Sequence, residues 1–372
     1  MAAAIESVDL RDTLAAGRGE ITDFSLSRHA RVRPPDLMIG EVTPALMRAY
    51  FAQSVVLGAS LFRVRDAQVT AEGIVLTDGR FNLCNQLNVD PTYPDRYHRD
   101  LAARLPTLRR ETVDGEAVLL AGMGHLVYGH WIADFLPKLY LLHLAGHRIE
   151  RLRYLLPADT PDFARHWLRL LGIDDGQWIL YRRQDDLLTC RSLLVPSALR
   201  FMSRASPLLR EARTFLLSRL DGPNRLWRRM PKPAAGKRLF VSRSETGATW
   251  NHRRLANRDG FESRARERGF AVVRPETLDI PAQIALFRSA AVLVGEYGSG
   301  LHASVFAEPG ATVIAARHND PGLGFLQSAI DHAVGHASGY VIGTAPTDDG
   351  SFRLRTEDIE MAFDWIDWTS HG

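Results

Sequence analysis

An α/β fold in two halves, each around a mainly parallel sheet, is predicted from three observations. Short apolar runs alternate with helix-patterned stretches from about Glu116 onward. The segment Asp221–Lys237, DGPNRLWRRMPKPAAGK, carries three prolines and two glycines and interrupts that alternation as a linker would. The alternation then restarts at Arg238. Strands separated by helices at this spacing pair in parallel, because each helical crossover returns the chain to the same end of the sheet.

Residues up to Arg33-Pro34-Pro35 are polar and weakly periodic. From Leu61 to about Asn88 the pattern changes. Phe62-Arg63-Val64-Arg65 and Ala67-Gln68-Val69-Thr70 alternate apolar with polar, Gly73-Ile74-Val75-Leu76-Thr77 follows, and Asp78-Gly79 makes a turn. These runs predict a small antiparallel β layer. Ala117–Ala121 is a buried-strand run, and a helix is expected from about His130 to Ala145. Leu152–Pro157 is the next strand, stopped by proline. Phe163, Trp167, Leu168 and Leu171 then share one helix face, and Gly172 ends it. Strands follow at Trp178–Tyr181 and Ser192–Pro196. After the linker, strands are expected at Arg238–Val241, Phe270–Val273, Ala291–Val294 and Ala311–Ala315. Helices are expected over Leu255–Arg268, Ile280–Ser289, after Gly300, and from Thr356 to Trp368. The divisions are therefore a β-rich segment (1–115), a first Rossmann-like half (116–228), a second (238–345) and a C-terminal helix (346–372). Two such halves facing each other would leave a deep cleft suited to a ligand.

Hydrophobic residues make up 45% and charged residues 24% of the 372, the balance of a chain that buries a core, which excludes global disorder. A net charge of +3 is too small to point to nucleic acid. Lys138, Lys232 and Lys237 are the only lysines, so 43 of the 46 basic residues are arginine, a residue suited to gripping phosphate or carboxylate. Cys84 and Cys190 form no CxxC pair, which excludes a structural zinc site or a thioredoxin-like motif, and a chain of this size needs no disulfide staple. No stretch of about 18 apolar residues appears, and the early acids of MAAAIESVDLRDTLAAG do not fit a secretory signal. A reducing cytoplasm is the expected compartment. The basic, aromatic RLWRRM run of the linker has two readings, a solvated linker with Trp227 tucked into a crevice, or a peripheral membrane contact.

Three constellations could carry chemistry. Gly295-Glu296-Tyr297-Gly298-Ser299-Gly300 lies between a buried strand and an expected helix. Its glycines let backbone approach a ligand, and the helix start offers N–H groups to an anion. It is neither G-x-G-x-x-G, nor a Walker A loop, nor a nucleophile elbow. An unliganded tight turn is the other reading. The second constellation is His130 and Asp134, at i and i+4 in GHLVYGHWIADFLPKLY. Either the acid orients the imidazole, or the acid itself takes a proton with His130 as helper; the plainer reading is a helix-capping histidine and a solvated acid. The third is Arg243, Arg254 and Asn257, after the strand ending at Val241, where parallel sheets place ligands; taken singly, the arginines also read as ordinary surface residues. His125 with His130 and Asp134 imitates a metal set, but no carboxylate-rich cluster supports one, and no acidic pair stands at a strand end.

Taken in order, these segments resemble glycosyltransferase family 61. His130-Trp131-Ile132-Ala133-Asp134-Phe135-Leu136-Pro137 is similar to the family's histidine-then-acid helix ending near Leu-Pro. Leu239-Phe240-Val241-Ser242-Arg243 and Arg254-Leu255-Ala256-Asn257 are similar to its strand-Ser-Arg and Arg-x-x-Asn elements. Gly269–Glu276 resembles its Gly-Phe-x-Val-x-x-Pro-Glu segment, and Gln283, with Phe287 and Ala290 behind it, the glutamine of its next helix. Gly295 and Gly298-Ser299-Gly300-Leu301 resemble its glycine loop, continued by Phe306 and Pro309-Gly310. The likeness runs from about Leu61 to Ile314. Tyr297 stands where the family has histidine, Ala303 where asparagine is common, and Ala315 or Ala316 where an acid follows the strand.

The resemblance implies a GT-B architecture with an extra N-terminal β-rich segment. It implies inverting, metal-independent transfer of a sugar from a nucleotide-sugar donor to a glycan or glycolipid hydroxyl in capsular or surface polysaccharide biosynthesis. No cofactor and no nucleic-acid partner are expected. His130 and Asp134 are the implied base, with the choice between them open. Arg243, Arg254, Asn257, Gly298, Ser299, Gly300, Leu301 and His302 are the implied donor and phosphate contacts, and Glu276, Gln283, Glu296 and Tyr297 stand behind them; Asn257 and Gln283 fit helix packing equally well. Two other readings remain: a catalytically inert glycan- or nucleotide-binding protein, suggested by Tyr297, Ala303 and Ala315, and a metal hydrolase using His125, His130 and Asp134.

Overall fold

The computed structural model describes residues 5–52, 54–87, 100–221, 236–243 and 253–371. The RLWRRM run with Trp227 lies outside the described residues. The chain divides into two compact units. The first comprises Met1–Arg28, Val56–Phe201 and Thr214–Arg219, and the second His29–Val55, Met202–Arg213 and Leu220–Gly372.

In chain order, the strands of the two main sheets are β1 (Ser7–Asp9), β2 (Gly19–Asp23), β3 (Leu37–Gly40), β4 (Ser60–Thr70), β5 (Ile74–Thr77), β6 (Arg80–Leu83), β7 (Arg109–Leu119), β8 (Arg153–Pro157), β9 (Trp178–Tyr181), β10 (Asp186–Pro196), β11 (Lys237–Val241), β12 (Ala271–Val273), β13 (Ala290–Glu296), β14 (Thr312–Arg317) and β15 (Ala337–Ile342). The helices of seven residues or more are α1 (Pro44–Ala52), α2 (Lys138–Leu144), α3 (Asp162–Leu170), α4 (Leu208–Leu220), α5 (Arg258–Glu267), α6 (Ile280–Arg288), α7 (Leu326–Val334) and α8 (Thr356–His371).

The first unit is built on one nine-stranded sheet of order β1-β6-β5-β4-β10-β7-β8-β9, with β2 also paired to β4. The expected antiparallel runs are present as β4, β5 and β6. They do not form a separate layer. The eleven-residue β4 pairs antiparallel with the eleven-residue β10, which itself runs parallel to β7. Apolar residues on the inner face, among them Phe62, Val64, Val69, Leu155 and Leu193, form one core cluster, each contributing roughly 1.5–3 kcal/mol by leaving water. The long strands bend at Gly115 (φ 76°) on β7 and at a register shift between Cys190 and Ser192 on β10. Both cysteines are buried and free.

Within the parallel part, β7 comes first in sequence, β8 and β9 add on one side, and β10 adds on the other. The direction of winding therefore reverses between β7 and β10.

The second unit has an all-parallel six-stranded sheet of order β12-β11-β13-β14-β15-β3. Counting from β11, this is the 2-1-3-4-5 order of doubly wound sheets, extended by β3 from the early chain. Here the winding reverses between β11 and β13. Phe240, Phe261, Val294, Ile314, Val341 and Phe363 belong to one core cluster. The helix expected from Leu255 starts at Arg258, because Leu255 lies in a short strand paired with Phe352. Among the described residues no helix is long and apolar enough to cross a membrane.

Candidate active site

The first group of functional side chains lies beyond the carboxyl ends of β7 and β10, where the winding of that sheet reverses and doubly wound folds place ligands. The continuous helix expected over His130–Ala145 is interrupted. Tyr128–His130 makes one short turn, Trp131–Phe135 a wide turn closed by Leu136 N–H donating to Trp131 O at 2.9 Å, and α2 starts only after Pro137. Pro137 has no N–H to continue a regular ladder, and wide turns of this kind concentrate at functional sites.

His130 and Asp134 still meet, with His130 Nδ1 2.6 Å from Asp134 Oδ2. Arg200, four residues past the end of β10, donates from Nη2 to Oδ2 at 2.6 Å. Its Nε stands 2.5 Å from Oδ1, at ion-pair distance but off the hydrogen-bond direction. Burial alone would raise the Asp134 carboxyl, but Arg200 and His130 overcome it and hold the group down at about 2. Lys138, on the first turn of α2, is buried beside it and donates to Leu120 O at 3.2 Å. Burial pushes its ammonium down to about 8, against the pull of Asp134. His125 is not part of this cluster: its Nε2 lies 3.0 Å from Asp159 Oδ1, and Asp159 is held in turn by Arg183.

The second group lies in the second unit, at the carboxyl ends of β11 and β13. Gly295 faces Val241 so closely that a Cβ would clash with the Val241 carbonyl oxygen. At Gly298 (φ 153°) a Cβ would sit 3.4 Å from Arg243 Nη2, so the guanidinium lies directly on the glycine loop. The N–H groups of Tyr297, Leu301 and His302 are spent on Ala316 and Gly298 carbonyls. Those of Gly298, Ser299 and Gly300 meet no backbone acceptor among the described residues. The helix expected after the loop is a six-residue 3₁₀ turn, Leu301–Phe306. Any anion-holding power therefore comes from local N–H groups and arginines, not from a long helix dipole.

Arginine dominates this group. Arg258 is matched by buried Glu296, with Nε 2.5 Å from Oε1. Arg243 and Arg253 have no carboxylate within 4.0 Å among the described residues. Burial lowers the affinity of both guanidinium groups for their protons, and for Arg243 the neighbouring Arg253 and Arg258 add to that while Glu296 and exposed Glu276 oppose it. Arg253 lies 5.8 Å and Arg317 5.7 Å from the Tyr297 ring centroid. Arg317 donates to the carbonyls of His318, Asp320 and Gly324.

The remaining expected residues point elsewhere. Arg254 is exposed and turned to Ser351 and Asp349. Asn257 donates to Leu354 O at 2.9 Å and accepts from Leu354 N–H at 3.1 Å, so its amide clamps backbone. Gln283 donates to Leu278 O at 3.0 Å. His302 is buried, with Nδ1 2.9 Å from Gln327 Oε1, and Leu301 is buried beside it. Arg200, Lys138, Arg253 and Arg317 were not among the expected site residues. Arg200 and Arg317 stand at or just past strand ends, the one signal that marks them. Among the described residues, no group of three or more His, Cys, Asp or Glu side chains is arranged to hold a metal ion.

A family model described as Glycosyltransferase 61 matches residues 128–314, just over half of the chain. The match spans His130, Asp134, Arg200, Arg243 and the glycine loop. No curated protein matches the chain.

Proposed function

Since the chain belongs to the glycosyltransferase 61 family, we propose that it is a GT-B enzyme moving a sugar, with inversion, from a nucleotide-sugar donor to a glycan or glycolipid hydroxyl in surface or capsular polysaccharide assembly. The reading is supported most by Arg243 resting on Gly298 beside open loop N–H groups, at a sheet position suited to a diphosphate. Inversion needs one base to take the acceptor proton as the hydroxyl attacks. The leaving diphosphate needs its growing charge held by donors already in place. The His130–Asp134 pair supplies the base, while Arg243, Arg253 and the N–H groups of Gly298, Ser299 and Gly300 hold the leaving group. Residues 116–228 form the acceptor half and 238–345 the donor half. No step in this scheme requires a metal.

A thermal-shift screen of the purified protein against a panel of nucleoside diphosphates tests the donor half, because a bound product raises apparent stability by mass action. The matching nucleotide sugar is then assayed for hydrolysis and transfer. Failure of every nucleotide to bind and of every nucleotide sugar to turn over overturns the proposal.

A further inference from the structure

We propose that Arg200 is a positioning residue that locks the Asp134 carboxylate against His130 Nδ1, so that the outer nitrogen, His130 Nε2, is the atom that removes the acceptor proton. This rests on the transferase reading above and decides between the two members of the pair.

Geometry carries the assignment. The Asp134 carboxylate touches cations or donors at both oxygens: Arg200 Nε at Oδ1, Arg200 Nη2 and His130 Nδ1 at Oδ2. A guanidinium only donates, so Arg200 bonds Oδ2 through Nη2 and brings its charge against Oδ1 through Nε, which holds the carboxylate from one side. Arg200 Nη2 also lies 3.4 Å from His130 Nδ1, a contact in which Nδ1 can only accept, so it competes with the shorter 2.6 Å contact to Oδ2 and is given up once Nδ1 carries its proton toward Asp134. Lys138, the other cation beside Asp134, is engaged by Leu120 O. Asp134 thus accepts both of its hydrogen bonds at Oδ2 and faces the guanidinium charge at Oδ1, and its side chain is only 3% exposed. The His130 side chain is 34% exposed.

With Nδ1–H donated to Asp134, neutral His130 carries its lone pair on Nε2. That edge of the ring passes over Gly124 (φ 85°), where a Cβ would come within 2.8 Å of Nε2. A Cβ there would also come within 2.5 Å of Cδ2, so glycine is what admits the ring in this position. In the chemical step a hydroxyl proton passes to Nε2 as its oxygen bonds to the anomeric carbon, and the bond to the nucleoside diphosphate breaks with its electron pair. The imidazolium so formed is stabilised by the Asp134 carboxylate, which never takes the proton.

The test uses full-length protein labelled with ¹⁵N-histidine and needs neither donor nor acceptor. Two-bond ¹H–¹⁵N spectra, with His130 assigned through His130→Gln, report the tautomer. The expected result is a neutral ring protonated at Nδ1, the minor form of free imidazole. Removing a cation and removing an anion must act in opposite directions: Arg200→Gln raises the pH at which the pair takes up a proton by ~1 unit, and Asp134→Asn lowers it. Arg200→Lys, which keeps the charge without the planar guanidinium, lies between wild type and Arg200→Gln. A wild-type ring protonated at Nε2, or an Arg200→Gln variant that melts earlier with tautomer and midpoint unchanged, overturns the proposal. Should Arg200→Gln not fold, the wild-type tautomer still decides. Absence of transferase activity leaves these spectra as they are, so the two readings fail separately.

Discussion

Val241 and Gly295 are partners on neighbouring strands β11 and β13, and the glycine's missing side chain is what lets the two backbones meet where the sheet reverses its winding. A Cβ at Gly295 would clash with the Val241 carbonyl oxygen and stand 2.9 Å from Val241 Cβ. Backbone in a central strand cannot step aside cheaply. Gly295→Ala is therefore expected to destabilise the protein by roughly 1–3 kcal/mol, the usual range for overpacking. Urea unfolding checks it, and an unchanged midpoint counts against the close approach.

Arg243 and Arg254 both follow β11 in sequence, yet their surroundings predict opposite outcomes. Arg243 lies on the glycine loop, while Arg254 is exposed beside Asp349. Arg243→Ala should weaken nucleoside diphosphate binding by ~10–100-fold, the loss of one charged hydrogen-bonding group. Arg254→Ala should change it by no more than about 5-fold. Calorimetric titration with the best nucleotide of the screen gives both numbers, and equal losses would count against the placement of the diphosphate.

His130 and Asp134 should separate activity from stability. His130→Ala removes a half-buried ring and should lower transfer by ~10²–10⁴-fold with little change in melting temperature. Asp134→Asn should cost both, because it leaves Arg200 and Lys138 buried without their carboxylate, at about 3–5 kcal/mol. Melting curves set beside single-turnover rates make the comparison. A variant pair with the same stability loss would remove the distinction.

Asp331, on α7, makes stability depend on pH. It is fully buried, accepts from Gln327 Nε2 at 2.8 Å, Ser304 Oγ at 3.0 Å and Ser338 Oγ at 2.9 Å, and has no cation among these partners. Burial raises its carboxyl to about 8, against the pull of those donors. Between about pH 4 and pH 8 the folded protein keeps a proton that the unfolded chain has released. This contribution is fully present below the ordinary carboxylate range and is lost as pH rises through about 8. Asp331→Asn should flatten the decline, read as unfolding midpoints across that interval.

Legibility followed local pattern. The i, i+4 spacing put His130 and Asp134 together despite the wide turn, since both lie within six residues of one chain segment. Strand-then-Ser-Arg and the glycine run placed Arg243 and Gly298 on the same sheet edge. Arg200 was invisible because its partner lies 66 positions away and no short pattern surrounds it. For Asn257 and Gln283 the sequence leaves a role at or behind the ligand and plain packing equally open; amides satisfy nearby carbonyls cheaply, and both do. The polar first residues hide β1, β2 and β3, since strands of three to five residues are too short to show a period. That the antiparallel runs join the parallel strands depends on the β4–β10 pairing, which spans more than a hundred residues.

The strand Leu37–Gly40 completes the outer side of a sheet whose other members begin at Lys237. During synthesis, the late half of the chain therefore emerges with one row of amides along Gly339–Ile342 waiting for a segment made long before. A piece cut from the linker onward would carry that row uncovered, ready to recruit a stray strand and aggregate. Anyone dividing this protein for separate expression has to carry the early strand along.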